Sequence, residues 1–135
     1  MRQGGWHAAV AGLSASLVGI GLGRFAYTPL IPPLIEAGWF SPSQVAFLGA
    51  ANLAGYLAGA LIASPLAARL PPAAILRAMM LLASLAFFAC ASPVSPAWFF
   101  VWRFAAGLAG GVIMVLAAPS VLPHADPRRR GLVAV

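Results

Sequence analysis

Lysine is missing altogether, acids number two and cysteine one in these 135 residues. Each shortage closes a class of chemistry. Without Lys there is no phosphate-binding loop of the GK[ST] type, which excludes ATP coupling through such a loop within this chain. A single Cys90 permits neither an intramolecular disulfide nor a cysteine-based metal site. Glu36 and Asp126, the two acids, stand far apart, and His7 and His124 lie near opposite ends. No cluster of His, Cys or acid remains to hold a metal or to run acid–base catalysis, so neither an enzyme nor a cofactor is expected. Charged residues make up 7% of the chain against about 25% in soluble domains, while 62% of it is hydrophobic. With mean hydropathy at +0.95 there is too little polar surface to clothe a globule, and lipid must act as the solvent. The sequence describes an integral membrane protein.

What is present is apolar chain in long pieces. Stretches of about 7–35, 45–70, 73–91 and 97–122 are each long enough to cross a bilayer as a helix, which takes about 20 residues. Short breaks rich in Pro, Gly and Ser separate them, so neighbouring helices run antiparallel. No stretch alternates polar with apolar for long, which disfavours strands. The expected fold is all-α, a single polytopic transmembrane domain of four helices, with a loop at 123–131 and the start of a truncated fifth helix at 132–135. The first stretch runs on past Ser14, Ala15 and Ser16 into Leu17, Val18 and Ile20, so it reads as an uncleaved helix and not as a signal peptide.

The positive charge has a topological pattern. At or near the span ends, Arg2, Arg69, Arg77, Arg128, Arg129 and Arg130 fall around alternate turns, on one side of the bundle. The positive-inside rule then places the N-terminus in the cytoplasm, in a multi-pass protein of the cytoplasmic (inner) membrane. A nucleic-acid partner would need these Arg residues on one soluble face, and no soluble part exists to carry one.

Two further Arg lie inside spans, Arg24 and Arg103, where a central Arg costs about 2.5–3.5 kcal/mol even on a mild insertion scale. Counting helix rise from the ends of each span puts both in the outer half of the bilayer, where they can face one cavity. Glu36 and Asp126 are poorly placed to neutralise them. Compensation must come from backbone carbonyls and hydroxyls, from an anionic ligand, or from carboxylates on other helices. Pro29 frees the carbonyl of Phe25 beside Tyr27 and Thr28. Asn52 and Tyr56, one helical turn apart, put polar groups on one face, suited to interhelical hydrogen bonds or to ligand contact. Small residues recur four apart at Ala15, Gly19 and Gly23, at Ala51, Gly55 and Gly59, and at Gly107 and Gly111, where backbones can approach closely.

The run Gly21-Leu-Gly-Arg-Phe-Ala-Tyr-Thr-Pro-Leu-Ile-Pro, followed by Phe47-Leu-Gly-Ala-Ala-Asn-Leu-Ala-Gly-Tyr-Leu-Ala-Gly-Ala, resembles the major facilitator superfamily in its YbfB/YjiJ-like branch. Trp102-Arg103 with Gly107 and Gly111 is similar to the superfamily's fourth-helix motif, and Arg128 to Gly131 to the basic loop before helix five. The second connection, Ser64-Pro-Leu-Ala-Ala-Arg-Leu-Pro-Pro, lacks the acid that members often carry there. The resemblance covers the first third of a twelve-helix architecture built from inverted three-helix repeats, with substrate bound near the midplane. It implies a secondary active transporter of a small molecule, with an anion as candidate substrate and the proton as candidate coupling ion. It also implies Arg103 in coupling, Arg24 lining the central cavity, and the missing C-terminal helices as partners. The alternative from a different class is a non-transport membrane scaffold or oligomer, or a gene remnant. A dimeric four-helix exporter fits the length but lacks the carboxylate such a protein needs in its first helix.

Overall fold

The computed structural model describes residues 7, 10–14, 17, 21, 27–92 and 94–121. Among them the chain is all-α, with no strand, and three helices are long and apolar enough to cross a membrane. The protein is a polytopic membrane protein. The described parts of the first stretch are helical at residues 10–14, with π-helical geometry at Leu17 and Gly21.

That stretch does not continue as one helix to residue 35. The chain bends at Tyr27, passes through a 3-10 turn at Thr28–Leu30, and re-enters α-helix as α1, Ile31–Glu36. Pro29, Pro32 and Pro33 explain the break, because none can donate the backbone hydrogen bond that an unbroken helix requires. Proline at the start of each short piece keeps its missing N–H where no helical bond is owed. After α1 the chain reverses at Gly38, whose φ of 70° lies in the left-handed region. Gly38 N–H donates to the Ile35 carbonyl and Trp39 N–H to the Leu34 carbonyl. This pair of bonds is the Schellman closure, and it satisfies carbonyls that the helix end leaves open.

Helix α2, Pro42–Ala67, begins three residues before the span expected from composition, because the polar Ser41-Pro-Ser-Gln segment is its cap. Ser41 Oγ accepts from Gln44 N–H at 3.3 Å, and Gln44 Oε1 accepts from Ser41 N–H at 2.9 Å. This reciprocal box fixes the start. Helix α3, Pro72–Ala89, opens at a proline pair. Its far end is tied to the next helix by Trp98, whose indole N–H donates to the Ala89 carbonyl at 2.8 Å. Helix α4, Pro96–Val121, is capped by Ser95, whose hydroxyl accepts from Trp98 N–H at 3.1 Å.

Helix α4 is the centre of the described structure. It packs against α2 on one side and α3 on another, while α2 and α3 barely meet. Lying two spans apart, α2 and α4 run parallel, and α3 runs against both. At one end Tyr27, Phe40, Val45, Leu48 and Phe99 form a buried cluster, with Phe40 edge-on to Phe99 at 4.7 Å. At the other end Ala63, Ile75, Val112 and Leu116 form a second. Between them α2 and α4 touch backbone to backbone. A Cβ added at Gly55 or Gly59 would collide with the carbonyl oxygen of Phe104 or Leu108, and one at Gly107 or Gly111 with that of Asn52 or Tyr56. The outward faces carry Phe47, Leu53, Leu57, Leu61, Leu81, Leu85 and Phe88, all exposed. Apolar faces of this kind suit acyl chains or the apolar faces of other membrane helices.

Candidate functional site

Glycines bring α4 so close to α2 that a side chain one turn along finds a backbone partner on the facing helix. Asn52 Nδ2 donates to the Arg103 carbonyl at 2.9 Å, in a buried setting. One turn further on, the carbonyl of Asn52 lies over Gly107. The amide therefore ties the two helices where they are nearest, and the low dielectric around it strengthens the bond.

The Arg103 side chain leaves α4 on another face. Its guanidinium lies over the ring of Tyr27, 4.0 Å from the ring centre. The negative face of the aromatic quadrupole stabilises the cation there, by about 2 kcal/mol or more where water is excluded. Tyr27 reaches this position because the proline-broken first segment turns beside it, and Phe99, one helical turn before Arg103, closes the end of the site. Arg103 and Asn52 are the buried charged and polar residues of the described structure, at 8% and 5% exposure. The Tyr27 ring is buried too, and its hydroxyl has no hydrogen-bond partner among the described residues.

Two cavities meet at this stacked pair. One, of about 520 Å³, lies between the first segment, α2 and α4, with Thr28, Asn52, Tyr27 and Arg103 in its wall. The other, of about 420 Å³, lies between the first segment, α3 and α4, and is walled by Phe87, Phe88, Phe99, Trp102 and Ala83 beside Tyr27 and Arg103. Tyr27 and Arg103 are the residues common to both. The stack is the partition between a space with polar groups and a space that is almost wholly apolar.

Of the residues picked out from the sequence, the structure sets Tyr27 against the side chain and Asn52 against the carbonyl of Arg103, and places Thr28, exposed, on the edge of the first cavity. Tyr56 is half-buried and lines neither cavity; its backbone lies against Gly107 and Gly111. Gly55, Gly59, Gly107 and Gly111 all lie in the α2–α4 contact. Arg24, Gly19 and Gly23 lie outside the described residues, as do the loop at 123–131 and the apolar start at 132–135. Sequence reasoning does not reach Ser84, Cys90 and Phe99, which line the apolar cavity. Only the i,i+4 spacing of Phe99 and Arg103 offers a signal for any of them. Among the described residues no three His, Cys, Asp or Glu side chains gather as a metal ion would require.

Comparison with curated proteins and with solved structures finds no match. The family described as "Uncharacterised MFS-type transporter YbfB" matches residues 16–135, which includes every element of the site above, and the chain belongs to that family of transporters.

Proposed function

We propose that the chain supplies one wall of the path in a secondary permease that moves a small molecule across the cytoplasmic membrane by alternating access. The N-terminus is cytoplasmic in this reading, and helices beyond these four form the facing wall. The observation that carries it is the buried Arg103 stacked on Tyr27 at the edge of a cavity that also holds Asn52 and Thr28. A cation held away from water, next to polar groups and open space, is an anion-recognition element by its chemistry, and intramembrane charge marks a substrate or ion pathway by default. The guanidinium fork suits a carboxylate or phosphate, which makes a small anion the favoured substrate class. Exchange of a proton or another ion supplies the driving force.

The test is uptake, normalised to membrane-inserted protein, by a full-length permease carrying Arg103→Lys or Arg103→Ala. Both variants are expected to insert, Arg103→Ala with uptake near background and Arg103→Lys with partial activity. An ammonium keeps the charge but not the planar fork. Normal uptake by Arg103→Ala removes the residue from the mechanism.

A further inference from the structure

The apolar cavity between the first segment, α3 and α4 lies on the other side of the Tyr27–Arg103 stack from the cavity assigned to that path. We propose that it is a separate binding site for a single-chain amphiphile bearing a carboxylate, drawn from the bilayer. Three observations converge on this chemistry. The cavity measures about 420 Å³, within the usual range of ligand sites, and its lining is mostly apolar, with Phe87, Phe88, Phe99 and Trp102 as its aromatic part. A hydrophilic anion gains nothing from such a wall. At its inner edge stand Arg103, a cation, and Tyr27, whose buried hydroxyl has no hydrogen-bond partner among the described residues. A plain hydrocarbon gains nothing from those. A chain with a monoanionic head satisfies both, with one carboxylate oxygen toward the guanidinium and the other accepting from the tyrosine. A guanidinium stacked by its face directs its N–H groups in its plane, the geometry in which a carboxylate is received.

The position of the cavity names the source. Its α3 wall belongs to the least buried of the three long helices, with Phe87, Phe88, Leu81 and Leu85 facing outward. An acyl chain reaches it laterally from lipid, without crossing the polar cavity on the far side of the Tyr27–Arg103 stack. Binding here would bear on that stack from the side opposite the transport path.

The experiment uses membranes containing the whole protein, a decanoate analogue with a mid-chain diazirine, and mass-spectrometric mapping of the photolabelled residues. Saturable labelling at Phe99, Trp102 and Ala106, the sheltered part of the lining, is expected. Decanoate should compete for it about tenfold or more better than decanol, since a hydrogen bond to a charged group separates them. Ser84 lines the cavity yet is exposed, so Ser84→Phe fills the space without touching the core and should abolish the saturable label. Non-saturable label spread over the outward-facing Leu57 and Leu61 overturns the site, as does equal competition by the alcohol. Uptake through the other cavity is read separately, so the two proposals fail independently.

Discussion

Tyr27 concentrates two opposed effects in one side chain. Its ring stabilises Arg103, whereas its hydroxyl is buried with no hydrogen-bond partner among the described residues, a condition that costs about 1–3 kcal/mol. Tyr27→Phe keeps the stacking and removes the cost, so thermal unfolding in detergent should show a variant at least as stable as the parent. If the hydroxyl is held in reserve for a ligand, the same variant loses ligand affinity while gaining stability, the usual trade at functional positions. Tyr27→Leu removes the same cost but also loses the stacking, so it should fall below Tyr27→Phe by about 2 kcal/mol. A destabilised Tyr27→Phe would mean that the hydroxyl has a partner. Asn52 poses the simpler case. The Arg103 carbonyl that it reaches keeps its own helical bond. Asn52→Leu keeps the branched shape but sets a bulkier methyl where the amide stands 2.9 Å from that carbonyl, so it should cost the lost bond, about 0.6 kcal/mol on average in membranes, plus crowding of about 1–3 kcal/mol, as seen in the same melts.

At the scale of the element, the contact between α2 and α4 depends on the absence of side chains at four positions. Gly107→Ala places a methyl group on the Asn52 carbonyl, which is backbone and cannot swing aside, and overpacking of this kind costs about 1–3 kcal/mol. Gly49, on the same helix as Gly55, has nothing within 4 Å of an added Cβ. Gly49→Ala should be neutral or slightly stabilising, since alanine is the better helix former. Equal melting temperatures for the two variants would dissolve the backbone contact. The positions of these glycines, four apart, are legible in the sequence, but their partners are carbonyl oxygens, which every residue carries and no sequence pattern marks. Span lengths are legible for a physical reason, since hydropathy sums over many side chains. The break at Tyr27 is not visible to such a sum, because Pro29, Pro32 and Pro33 act through missing N–H groups inside an apolar run. Likewise Arg103 stands out as a charge among apolar neighbours, while its partner Tyr27 comes from a distant segment that only the folded chain brings near.

For the whole molecule, the proposed orientation puts the Arg-bearing connection between α2 and α3 in the cytoplasm and the connections flanking Ser43 and Val94 outside. Arg69 and Arg77 are both exposed at that end. With Cys90 replaced by Ala, single cysteines at Ser43 and at Val94 should react with a membrane-impermeant thiol reagent on intact cells, and one at Leu70 only after lysis. The reverse pattern inverts the topology. The seating of carbonyls over glycines also decides what can move. Gly55, Gly59, Gly107 and Gly111 each receive an oxygen from the facing helix, so the two mesh like a rack and pinion. A small axial slip would drive those oxygens into the side chains between the glycines. The glycines repeat every four residues, so the next register that would offer them to the same oxygens is about 6 Å away. The pair is thus one stiff spar through any rocking cycle, and conformational play is left to α3 and the proline-jointed first segment, whose contacts with it are made by side chains that can re-pack.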